Sequence, residues 1–300
     1  MAGMTIKYFA HRYRDSFAML DAALQDAGFI SVADVAEADV LFLDHENRLK
    51  KMPDKPLFIY PHTPYAYWLW DGIVTPQPAA CNFVVADGAK AGMERYGYPY
   101  RVEVIGFNRC AVLPFQPTTG KDVLFAPAHP FGNKRFPRPN DHLTHINAMQ
   151  FISEHRNCFG RVVVRYASDL SAYHFEAFTG AGIEFVAAEE LSVRSSLQAM
   201  EPFDLVISQG TFGYLALASG KPTVLYGYEN NIPGGRQGDV RHYELYRDVF
   251  DFPLPLECLT IEDVLGLRLV PQPTIKQWKI LNIGGNFDQE RFVSIVRECL

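Results

Sequence analysis

Histidine, arginine and acidic side chains recur in this chain just behind short apolar runs. His11 follows KYFA, Asp44 and His45 follow VLFL, His62 follows PLFIYP, and His129 follows VLFAPA. Arg165 stands near the end of RVVVRY, and Arg109 comes two residues after RVEVIGF. An imidazole titrates near neutral pH, so a histidine so placed is suited to take a proton from a hydroxyl while a new bond forms. A guanidinium in such a position is suited to a phosphate. Each of these residues also reads as an ordinary loop or half-buried side chain, but four of the nine histidines share the placement.

The densest local signal is DLVISQGTFGYLALASGKPTVLYGY, residues 204–228. A buried strand runs into a small turn and a helix begins at once. The free N–H groups and dipole of such a helix start attract an anion. Glycine leaves room for close approach, so Gly210 and Thr211 are candidates to cradle a diphosphate. The same residues also serve a plain strand-to-helix connection, with Gly as turn and Thr as cap. No GxxxxGK[ST] is present and no GxGxxG follows the first strand, which excludes a P-loop ATPase and argues against an NAD-type site. There is no Asp-x-Asp, so no divalent metal is expected. Two loops suit an acceptor. PYAYWLWDG (64–72) offers rings for stacking, or a packed apolar lip. FGNKRFPRP (131–139) offers a basic surface for donor phosphates or for an acidic acceptor such as DNA or a phosphorylated polymer, or it is a solvated connection.

Parallel β-sheets must position these groups, because the apolar runs alternate with helical patterns from end to end. Strands are expected at 5–10, 40–44, 56–60, 82–87 and 101–107, with helices at 16–29 and 88–99. Residues 109–121, with two prolines and Thr-Thr-Gly, read as a linker. A second series has strands at 123–127, 161–166, 183–187, 204–208 and 222–227 and helices at 141–155 and 211–220. Residues 286–300 read as a last helix, with Asn286 as its cap. The expected architecture is α/β: two tandem Rossmann-like doubly wound domains with an interdomain cleft. Their bounds are 1–115 and 116–285, with the helix of 286–300 packing back on the first.

With 300 residues, 48% of them hydrophobic and 21% charged, the chain can bury two ordinary cores. A net charge of −6 carries no global footprint for nucleic acid. The five cysteines form no CxxC pair, which disfavours a zinc site or disulfide framework and fits a reducing compartment. No apolar run is long enough to span a membrane and no signal-peptide pattern opens the chain, so the expected location is cytoplasmic.

The block strand, Gly-Thr, helix, ALASGKP, strand resembles the donor site of glycosyltransferase-B enzymes and of the related sugar-nucleotide epimerases. Within that superfamily FIYPHTPYAYW (58–68), IGFNRC (105–110) and VLFAPAHP (123–130) are similar to blocks of the CDP-glycerol glycerophosphotransferases. An Arg-x-His strand end of that family is echoed by Arg165 with Ala167 in the histidine's place. Tyr214 and Leu215 stand where many members carry an acidic residue for the donor ribose. The resemblance implies a metal-independent transferase that needs no cofactor. It would move a glycosyl or polyol-phosphate group from a nucleotide-diphosphate donor, its substrate, to an acceptor hydroxyl. It implies His62 as general base with His11 as alternative, Asp44 and His45 behind them. Gly210, Thr211, His129, Arg165 and Arg109 would hold the donor, and the backbone near Val186–Ala188 would read the base. A sugar-nucleotide epimerase, and a two-domain binding protein without catalysis, remain alternatives.

Overall fold

The computed structural model describes residues 5–11, 15–44, 54–61, 78–95, 97–127, 141–208, 211–226, 259–269 and 285–300. The chain divides into two compact units, one of residues 1–112 with 281–300 and one of residues 113–280.

The first unit is built on a sheet of six parallel strands: β1 (Lys7–Ala10), β2 (Ile30–Ser31), β3 (Val40–Leu43), β4 (Leu57–Ile59), β5 (Cys81–Val84) and β6 (Val102–Val104). Their spatial order is β2-β1-β3-β4-β5-β6. β3, β4 and β5 are buried along their whole length, as continuous apolar runs between two layers require. Helix α1 (Ala18–Asp26) puts Leu20, Ala23 and Leu24 into the core and stops where Gly28 turns to φ +86°, a backbone that glycine adopts without strain. Helix α2 (Asp87–Arg95) follows β5.

Helix α3 (Asp141–Glu154) and helix α4 (Val193–Met200) belong to the second unit. So do α5 (Thr211–Ala218), α6 (Ile261–Gly266) and five parallel strands: β7 (Val123–Ala126), β8 (Val162–Tyr166), β9 (Glu184–Ala187), β10 (Leu205–Ser208) and β11 (Thr223–Leu225). The order is β11-β10-β7-β8-β9. α5 is buried from Gly213 to Ala218, and a Cβ on Gly213 would collide with the Leu225 side chain, so glycine lets this helix lie close on β11.

The last helix, α7 (Gln289–Glu298), completes the first unit. Phe292, Val293, Ile295 and Val296 form one apolar face, buried in a cluster with Tyr8, Phe42, Phe58 and Phe83. Its N-cap is Asp288, whose carboxylate accepts from Arg291 N, rather than the expected Asn286. Asn286 instead accepts from Val112 N at 2.7 Å, and it bridges to Phe107. Gly106, at φ +77°, permits that approach, since a Cβ there would strike the Asn286 carbonyl. The short strand β2 and helices α4 and α6 are elements that the sequence reading did not anticipate. Among the described residues no helix is long and apolar enough to cross a membrane.

Candidate functional site

In an open parallel sheet, the carboxyl ends of two adjacent strands whose connections depart in opposite directions enclose a crevice. In the first unit those strands are β1 and β3: the chain runs from β1 outward to β2, and from β3 the other way toward β6. His11 N donates to Phe42 O at 2.9 Å, which extends the β1–β3 ladder one residue past β1. That register sets His11 beside Asp44. The imidazole Nδ1 lies 3.0 Å from Asp44 Oδ1; the carboxylate side chain is 0% exposed and the imidazole 36%. The spacing is that of an ion pair, while the ring nitrogen stands off the line that a hydrogen bond needs. A fully buried carboxylate thus stands beside a solvent-reachable imidazole.

Further polar groups brace this strand end. Tyr60, fully buried behind β4, donates its Oη to His11 O at 2.5 Å and lies 3.5 Å from Ser16 Oγ. Asn108, 1% exposed, donates both amide hydrogens, to Ser16 O at 3.0 Å and to Pro61 O at 3.1 Å. Arg109 follows it, half-buried, in the same unit. Burial pushes the neighbouring Cys110 thiol up to about 11, against the opposing charge of Arg109.

The second unit has its own divergence between β7 and β10, because β7 leads toward β8 and β9 while β10 leads to β11. Ser208 Oγ donates to Ala126 O at 2.6 Å and ties these two strand ends together. Thr211 opens α5 three residues beyond Ser208. The first-turn N–H groups of any α-helix lack an intrahelical acceptor, and its dipole is positive there. Arg165, at the end of β8, sends Nη2 to Glu190 O at 2.7 Å and stacks its guanidinium over the Phe212 ring, 5.3 Å from the centroid. Burial lowers its pKa from the ordinary arginine value, and among the described residues no carboxylate faces it. A half-buried cation thus lies next to a helix start, where an anion would be held from two sides.

The structure therefore sets Arg165 over Phe212, the residue after Thr211, in the second unit and places His11 and Arg109 in the first. His62, Gly210 and His129, with His45, lie outside the described residues. Tyr214 and Leu215, in the place where the resemblance puts an acidic residue, are buried among the apolar side chains of α5. Of the Val186–Ala188 backbone, the Ala188 N–H is already donated to Tyr166 O at 2.8 Å. The sequence reading ranked Asp44 as a third-choice base; the structure makes it the partner of His11. It placed Asn108 at a strand end without assigning it a role and had no signal for Tyr60; the roles of both arise from distant chain segments. Among the described residues no group of three or more His, Cys, Asp or Glu side chains is arranged to hold a metal.

No known protein family matches the chain, and no curated protein does. Solved structures do. MnaA of S. aureus, solved with UDP, superposes with a TM-score of 0.56 at 10% identity, over 98% of this chain and 96% of that one. Anabaena HepE, in complex with UDP-glucose, gives 0.47 at 10% identity over 98% and 100%. S. aureus TarM, solved with UDP, fondaparinux and an α-GlcNAc-glycerol, gives 0.45 at 10% identity over 87% of this chain, which spans only 55% of the TarM chain. At such identity the MnaA likeness is one of fold alone: two Rossmann-like α/β units, each built on a parallel sheet.

Proposed function

We propose that the chain is a glycosyltransferase-B-type transferase that moves a glycosyl or polyol-phosphate group from a nucleotide-diphosphate donor to an acceptor hydroxyl. The observation that carries this reading is the His11–Asp44 pair: an accessible imidazole backed 3.0 Å away by a fully buried carboxylate, at the crevice-forming strand ends of the first unit. A transferase must remove the acceptor proton as the bond forms, and this pair is built to receive it. His11 therefore takes the place of general base and Asp44 that of its orienting partner. His62 stands behind them as the base favoured by the family resemblance.

The second unit would take the donor. The start of α5 at Thr211, preceded in sequence by Gly210, offers N–H groups and a positive dipole to the diphosphate, and Arg165 offers a cation. The likeness in fold to a UDP-bound structure supports a nucleoside diphosphate as ligand. His129 and Arg109 are proposed as further donor contacts from their places in the sequence. The leaving diphosphate is neutralised in this scheme by the helix start and Arg165, without a divalent ion. Chelation should leave turnover unchanged; a loss restored by magnesium or manganese would overturn that point.

The test is a thermal-shift series over nucleoside diphosphates and nucleotide sugars, followed by release of nucleoside diphosphate from whichever donor binds. A ligand at 100 times its dissociation constant stabilises by about 2.7 kcal/mol. Stabilisation by a nucleoside diphosphate, with turnover lowered about 10²–10⁴-fold in His11→Ala and binding retained, is the expected result. Absence of any shift across the series would refute a donor site. Interconversion of two sugar nucleotides without transfer would assign the fold to an epimerase instead.

A further inference from the structure

We infer that Tyr60 and Asn108 are positioning residues that aim the His11 imidazole by holding the backbone of its loop; the inference rests on the transferase reading above. The loop leaving β1 is gripped at both of its ends. Tyr60 Oη donates to the carbonyl of His11 itself at 2.5 Å, and Asn108 Nδ2 donates to the carbonyl of Ser16 at 3.0 Å. The second hydrogen of the same Asn108 amide goes to Pro61 O at 3.1 Å, on the residue that precedes His62. One buried amide thereby couples the two chain segments that carry the proposed bases.

The two donors come from strand ends other than that of the gripped loop. Tyr60 follows β4, Asn108 follows β6, and the gripped loop follows β1. His11 lies one residue past the end of β1, where rotation of its own peptide plane would redirect its Cβ. The Tyr60 hydroxyl fixes the carbonyl of His11 in the arrangement in which Nδ1 lies beside Asp44, and Asn108 fixes the carbonyl of Ser16. Apolar side chains would fill the space of Tyr60 and Asn108 more cheaply, since a buried polar group must be hydrogen-bonded to be tolerated. Tyr60 is 0% exposed and its ring already packs on Phe17 at 4.9 Å between centroids, so the hydroxyl is not needed for packing.

The experiment measures the rate at which diethyl pyrocarbonate modifies His11 in the full chain, read by peptide mass spectrometry, with exposed His174 of the other unit as internal reference. Tyr60→Phe removes one hydroxyl and keeps the ring. Loss of one such hydrogen bond shifts a local equilibrium about fivefold, so modification of His11 at its otherwise buried Nδ1 should accelerate by about that factor while His174 is unchanged. Asn108→Leu, which removes both amide donors, should act in the same direction, and near-ultraviolet circular dichroism verifies that each variant is folded. A His11 rate equal to or below that of the unaltered protein in folded Tyr60→Phe would overturn the inference. The measurement uses no donor, so failure of the transferase reading, seen as absence of nucleoside diphosphate binding, is registered separately.

Discussion

Replacing Asp44 by Asn tests the proposed chemistry most sharply, because the change keeps the shape and removes the charge. Asp44 has 0% side-chain exposure and lies 3.0 Å from His11 Nδ1. With charge centres about 4 Å apart and an effective dielectric of about 20, the attraction for an imidazolium is about 4 kcal/mol. The imidazole is 36% exposed, so solvent screens part of it. A residual of about 1.5–3 kcal/mol corresponds to roughly 10–100-fold in rate. Asp44→Asn should lower turnover by that factor, and His11→Ala by about 10²–10⁴-fold, with the donor affinity of both nearly unchanged. Because Asp44 is proposed to act through His11, the double variant should be no slower than His11→Ala alone. The assay is release of nucleoside diphosphate from the donor that the thermal-shift series selects. Additive losses in the double variant, or full activity in Asp44→Asn, would refute the pairing as a catalytic unit.

Arg165→Ala should weaken nucleoside diphosphate binding by about 10–100-fold, the equivalent of a lost charge-assisted hydrogen bond, and isothermal calorimetry with UDP measures it; equal affinity would place the phosphates elsewhere. Phe292→Ala should cost about 3–5 kcal/mol in urea unfolding, since the ring is 0% exposed and packs on Phe83 at 5.0 Å between centroids; a cost near that of a surface change would show that α7 is dispensable to the first core. Burial pushes the Cys81 thiol up to about 12 from an ordinary 9. The folded protein therefore keeps a proton there that the unfolded chain releases, so stability is present below pH about 9 and is lost as pH rises toward 12; Cys81→Ala should flatten that part of a pH-dependent unfolding series.

Much of the first layer of structure was readable from local pattern. Eleven strands are described, ten at places where short apolar runs had marked them, because a strand buried on both faces needs an unbroken apolar segment. β2 escaped because it is two residues long and its Ile30 is 50% exposed, so no period marks it. α4 escaped because it is only eight residues long and a serine, Ser196, stands on its buried face. The cap of α7 was misread two residues early, since Asn286 and Asp288 are both good capping types and only the Phe107 bridge shows which one is spent elsewhere.

The candidate site divides along the same line. Sequence by itself determined which residue types follow which strand, because strand ends are set by local apolar pattern, and so it named His11, Asp44, Thr211 and Arg165 one by one. It could not pair them. Whether His11 faces Asp44 depends on β1 lying beside β3, a register that pairs Tyr8 with Val40 across 32 residues of chain. Whether Arg165 meets the start of α5 depends on the order β10-β7-β8 and on Phe212 offering its ring. Tyr60 and Asn108 carry no local signature, since a buried hydroxyl or amide is defined by the carbonyl it finds, and those carbonyls come from another strand end. Only the tertiary structure decides such partners, because hydrogen bonds and ion pairs form between neighbours in space, whatever their separation along the chain.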